Sequence, residues 1–165
     1  MYEVTSDETL AQGDILLDFP LLVLQPPFDP ETVATSPNVT TEVYDIIVLS
    51  QTCDLTEGKL DSVLVCPLFD VEEIILAIAN ADSNKARESA KKQLEQGSVV
   101  SLYLIPSCEI TEYESPCRVA SFRQVAATPL LQVETHAKAT SPRMRLLPPY
   151  REHLAQAFGR FVMRV

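Results

Sequence analysis

No apolar run in this chain of 165 residues approaches the roughly 20 residues that a membrane-spanning helix needs. The opening Met1-Tyr-Glu-Val-Thr-Ser-Asp-Glu8 lacks the basic-then-apolar order of a secretory signal. There is no Cys-x-x-Cys and no His-x-x-x-His, the paired spacings that mark most zinc sites. Basic residues are scarce through the first two-thirds, and residues 25 to 42 contain none. No internal repeat, low-complexity tract or interdomain linker interrupts the chain. These absences predict no membrane partner, no metal and no cofactor, and a cytoplasmic, bacterial protein whose cysteines at 53, 66, 108 and 117 are reduced.

Apolar residues make up 46% of the chain and mean hydropathy is +0.06, which predicts one globular domain over residues 1–165 with a core large enough to stand without staples. The formal charge of −10 is unevenly spread. Residues 1 to 116 hold 21 Asp or Glu against 5 Lys or Arg, whereas residues 117 to 165 hold 8 basic residues against 2 acidic ones. Such a division either presents an anion-facing patch built on Arg123, Arg160 and Arg164, or neutralises the acidic part within the fold. Pairing within the fold is the commoner outcome.

Gly13 to Leu24 reads as a strand or strand pair kinked at Pro20, and residues 25 to 42, with four prolines, read as a long loop. Strands at about 43–50 and 61–67 follow, joined by a turn around Thr56-Glu-Gly58, and should pair as antiparallel neighbours. A helical insertion spans about 70–96. Asp70 is its N-cap with Glu73 in the reciprocal position and Phe69 and Ile74 as a hydrophobic staple, Asn80 to Asn84 breaks that helix, and Ser83 caps a second helix that ends at Gly97. Strands are expected again at 98–105, 117–125 and 142–147. A C-terminal helix over about 149–164 carries Tyr150, Leu154, Ala157, Phe158 and Phe161 on its core face, with His153, Arg160 and Arg164 along one edge of that face. The fold class is therefore mainly β with α additions, a small bent sheet or barrel.

Tyr44-Asp-Ile-Ile-Val-Leu-Ser-Gln-Thr-Cys-Asp-Leu55 runs an apolar strand straight into a thiol, a carboxylate, two hydroxyls and an amide. Three readings compete. Cys53 serves as a nucleophile if His153 or His136 acts as its base and Asp54 orients that base. Cys53, Asp54, Cys66 and a histidine make a zinc site, for which the spacing gives little support. Alternatively, Ser50, Thr52 and Asp54 satisfy backbone donors of a turn while Cys53 is a small buried residue. Ser50, Gln51, Cys53 and Asp54 are the candidate binding residues here. Arg123, Arg160 and Arg164 are the candidates in the arginine-rich third, where a stacking platform for nucleic acid is not evident.

The series Gly13-Asp-Ile-Leu-Leu-Asp-Phe-Pro20, Ile46-Ile-Val-Leu-Ser50, Val63-Leu-Val-Cys-Pro67 and Ala120-Ser-Phe-Arg-Gln-Val125, closed by a terminal helix, resembles the MazF/PemK family of small SH3-like barrels. The RNA-cleaving members of that family place an arginine in the loop after the first strand and a hydroxyl residue just past a Cys-Pro-like step. This chain has no basic residue in 25–42 and has Leu68-Phe69 after Cys66-Pro67, so the resemblance implies the barrel without the cleavage pair. A more specific resemblance is to uncharacterised bacterial proteins that carry Gln12-Gly-Asp-Ile15, Ser50-Gln-Thr-Cys-Asp-Leu55 and Tyr150-Arg-Glu-His-Leu-Ala-Gln-Ala-Phe-Gly-Arg-Phe-Val-Met-Arg164. It implies kinship and names no reaction. The expected role is a non-catalytic binding or assembly module of a bacterial intracellular system. Its partner would be a protein or an anionic ligand, nucleic acid is less favoured, and a homodimer is compatible. The alternative is an enzyme centred on Cys53 and Asp54, a hydrolase or a divergent endoribonuclease.

Overall fold

Alternation along a strand sends successive side chains to opposite faces of a sheet, so an unbroken apolar run such as Ile46-Ile-Val-Leu49 requires cover on both sides. The computed structural model supplies it. It describes residues 1–24, 39–79 and 83–163. The elements run β1 (Tyr2–Thr5), β2 (Asp14–Leu24), β3 (Val39–Val48), α1 (Thr52–Thr56), β4 (Ser62–Asp70), α2 (Val71–Ala79) and α3 (Asn84–Glu95). They continue as β5 (Leu102–Ile105), β6 (Arg118–Ser121), a 3-10 turn (Phe122–Gln124), β7 (Ala126–Pro129), α4 (Leu130–Ala139), β8 (Arg143–Leu146) and α5 (Tyr150–Val162).

The described strands form a mainly antiparallel sheet in the order β1-β8-β2-β3-β4-β6-β5, with β7 also on β4. Ile15, Ile47, Leu49, Cys66, Leu68 and Ala120 point to one face, where Leu154 of α5 closes the core. Leu16, Phe19, Ile46, Val48, Val63 and Val65 point to the other, closed by Val133 and Ala137 of α4. Two helices thus cover the two faces of one central sheet. The β3–β4 pairing is the expected antiparallel one and sets Ile47 opposite Cys66.

The insertion follows its local signals. Asp70 Oδ1 accepts from the backbone N–H of Glu72 at 2.8 Å and of Glu73 at 3.4 Å, and Ser83 Oγ accepts from Ala86 N–H at 3.2 Å. Gly97, at φ +62°, ends α3: its N–H reaches Leu94 O and that of Ser98 reaches Gln93 O, the paired bonds of a left-handed helix terminus.

Other expectations need correction. The irregularity in β2 falls between Leu16 and Phe19, where Asp18 takes φ +51°, and Pro20 keeps its register opposite Val43. β3 begins at Val39, inside the stretch read as loop, because its alternating Thr40, Thr41 and Glu42 complete a ribbon with β2; residues 25–38 lie outside the described residues. The break placed at Asn80–Asn84 falls on residues 80–82, also outside them, and Asn84 already belongs to α3. Thr52–Thr56 is a short helix where a simple turn was expected, and β5 starts only at Leu102. The strand expected over 117–125 stops at Ser121, where the 3-10 turn begins. β1, β7 and α4 were not anticipated.

Candidate functional site

Gly13 takes φ +87°, and a Cβ there would sit 3.1 Å from Leu146 Cβ, so only glycine lets β2 start this close to β8. Its N–H donates to Val48 O at 2.9 Å and its carbonyl accepts from Leu146 N–H at 3.0 Å. That turn delivers Gln12 to the end of β3. Gln12 N–H donates to Thr52 Oγ1 at 3.1 Å and Gln12 Nε2 donates to Leu49 O at 2.8 Å. Ser50 Oγ, buried, accepts from Leu64 N–H at 2.9 Å. Ser50 and Thr52 therefore do serve backbone donors, but those of Leu64 and Gln12 and not of their own turn.

These contacts form the floor of a cleft of about 410 Å³, lined by Gln12, Ser50, Gln51, Asp54 and Ser62, with Leu49, Leu60, Leu64 and Phe158 among its apolar walls. Ala155 and Gly159 of α5 complete it. The stretches Gln12–Ile15, Ser50–Leu55 and Tyr150–Arg164, distant in sequence, each contribute to this one cleft.

Cys53 stands outside its lining and is exposed, which corrects the expectation of a buried side chain: in α1 the thiol turns outward and Leu55 turns inward. Cys53 Sγ lies 3.7 Å from Gln51 Oε1 and 3.8 Å from Asp54 Oδ1. Neither histidine accompanies it. His136 Nε2 donates to Leu17 O at 2.8 Å and its ring meets Phe19 edge-on, tying α4 to β2. His153 packs edge-on to Tyr150 and lines a separate cavity of about 170 Å³ with Arg160, Gly97, Val100, Leu102, Tyr103 and Ala157. Arg123 is exposed on the 3-10 turn, and Arg164 lies outside the described residues. Cys66 belongs to the core, where burial pushes its thiol up to about 12; its Sγ lies 3.3 Å from Ser121 O. Cys108 is buried and Cys117 half-buried, and both are free. Among the described residues no three His, Cys, Asp or Glu side chains come together as metal ligands.

No protein family, curated protein or solved structure shows a significant likeness to this chain.

One charged cluster escaped sequence reasoning. Asp14, fully buried, accepts from Arg143 Nε at 2.8 Å, from Arg145 Nε and Nη2, and from Ala11 N–H at 3.0 Å. The two guanidiniums continue to the backbone carbonyls of Asp7 and Thr9, and Arg145 also reaches the Asp7 carboxylate at 2.8 Å. A hydrogen bond from the Thr5 side chain, then the bond from Arg145, holds the Asp7 carboxyl below its ordinary value. Every donor faces an acceptor of the fold, so the cluster clasps residues 7–14 onto β8. The alternation of Arg143 and Arg145 around buried Met144 was the only trace in the sequence.

Proposed function

We propose that this chain is a non-catalytic binding or assembly module of a bacterial intracellular system, and that the cleft between α1 and α5 is where it holds a protein partner. The convergence of three separated stretches on that cleft carries the reading. The arrangement inside it suits binding better than turnover. Ser50 and Gln12 are fixed by backbone bonds, the Cys53 thiol faces away, and both histidines are engaged or lodged elsewhere. A cysteine nucleophile needs thiolate character, which a neighbouring cation or histidine supplies, and Cys53 Sγ instead has an amide oxygen at 3.7 Å and a carboxylate at 3.8 Å beside it.

On this reading the sheet is a divergent SH3-like barrel of the MazF/PemK kind. The passage of β4 from β7 at its start, past β3 at its middle, to β6 at its end supports that, since such barrels bend a shared strand from one sheet into the next. RNA cleavage is not carried over, because the family's arginine and hydroxyl positions hold other residues here.

Selection of binders from a random peptide display library tests the module. Peptides are expected to be enriched whose binding falls at least tenfold on Ser62→Trp, a change at an exposed cleft position that fills the space. Absence of cleft-dependent peptides, or turnover of RNA, ester or amide substrates abolished by Cys53→Ala, would refute it.

A further inference from the structure

The binding reading leaves open what chemistry the cleft prefers, and the inventory of its polar atoms answers that. Gln12 donates its Nε2 to Leu49 O, which fixes the amide and leaves Oε1 as its unpaired atom. Asp54 Oδ1 is near the Cys53 thiol, and the carboxylate forms no ion pair among the described residues. Ser50 and Ser62 carry hydroxyls that serve either way, and Gln51 offers its amide nitrogen. No Lys, Arg or His lines the space, so Asp54 sets its charge.

Several cations elsewhere in the chain already have carboxylate partners. Arg143 and Arg145 are bound to Asp14, Arg118 to Asp45 and Arg151 to Glu152, while the Lys59 ammonium, close in sequence to Asp54, is held by Glu57. Arg160 and His153 line a different cavity. An anion entering the cleft would meet an uncompensated carboxylate in a partly apolar setting, which is unfavourable. A cation meets that carboxylate, the Gln12 carbonyl and the hydroxyls, and its stem meets Leu49, Leu60, Leu64 and Phe158. The field of a chain with formal charge −10 also draws cations toward it.

We propose that the cleft takes a guanidinium or primary ammonium group on an apolar stem, the chemistry of an arginine or lysine side chain. The proposal rests on the binding reading and adds the class of ligand. Two sources share this chemistry, a basic side chain of a protein partner and a free small amine or guanidine.

Amide NMR titration of the full chain decides it with n-butylguanidinium and its neutral isostere n-butylurea. Saturable shifts at Gly13, Ser50, Asp54 and Gly159 are expected with the guanidinium, at least tenfold weaker with the urea and at least tenfold weaker for Asp54→Asn. Because the isostere comparison uses the unaltered protein, it stands even if the variant misfolds. Equal binding of the two compounds, preferential binding of butyrate, or an Asp54→Asn protein that folds and binds the guanidinium undiminished would overturn the proposal. A capped Ala-Arg-Ala peptide run beside n-butylguanidinium separates the sources: much tighter binding of the peptide identifies a protein partner, and equal binding a small molecule. Selected peptides that occupy the cleft without a basic residue would sink this proposal and leave the binding module standing, whereas no cleft binders at all would remove both.

Discussion

Burying a carboxyl group away from water is costly unless it is paired, and Asp14 meets two guanidiniums and a backbone N–H. Removing one member of such a set leaves the others buried and unpaired, which costs far more than the set contributes against an apolar replacement. Asp14→Ala is expected to destabilise the protein by about 3 to 5 kcal/mol in chemical denaturation. Cys66 gives a residue-scale effect of opposite temper. Burial raises its thiol from 9.0 to about 12, so above pH 9 the unfolded chain loses a proton that the folded chain keeps. Stability from this group is complete below pH 9 and declines as pH rises from there toward 12. Denaturation midpoints measured across that range should fall, and Cys66→Val should flatten the fall. The half-buried tyrosine hydroxyls of Tyr2 and Tyr103, also raised mainly by burial, leave a residual decline at the upper end.

At the scale of elements, α5 shows two kinds of residue side by side. Phe158 and Phe161 pack on Phe122, with ring centroids 5.4 and 5.8 Å apart, while Arg160 is exposed and makes no ion pair among the described residues. Phe161→Ala should cost about 2 kcal/mol, below the roughly 3 to 5 of a fully buried aromatic because the ring is only half-buried. Arg160→Ala should stay within about 0.5 kcal/mol. Thermal unfolding of the pair checks both, and an equal loss would make Arg160 a structural residue. Elements with strong local signals were legible in the sequence: the caps at Asp70 and Ser83, the glycine stop at Gly97, the apolar stripe of α5 and the strands around Ile46 and Val65. α4 was not, because Leu130-Leu-Gln-Val-Glu-Thr-His-Ala-Lys-Ala139 buries only Val133 and Ala137 and leaves Leu131 in solvent, which blurs its helical period. β1 and β7 are four residues each, too short for alternation to register.

Over the whole molecule, the division of charge was legible and its use was not. Much of the basic surplus after residue 117 turns inward, with Arg143 and Arg145 on Asp14 and Arg118 on Asp45, yet nothing local in a sequence couples positions about 130 residues apart. The cleft was half legible for the same reason. Ser50, Gln51 and Asp54 stood out as a cluster, whereas their meeting with Gln12 and with Gly159 depends on tertiary packing.

The clasp of Asp14 onto β8 also sets an order of events in time. The first fourteen residues find their partners at 143–146: Tyr2 lies opposite Leu146, and Asp14 opposite Arg145. While a ribosome is still making the middle of the chain, the earliest strand has no neighbour and the Asp14 carboxylate has no counter-charge to accompany it out of water. Contacts of such long sequence separation form slowly and late. The sheet can therefore close only once β8 has left the exit tunnel, and until then β1 and the start of β2 present unpaired edges to whatever holds nascent chains in the cell.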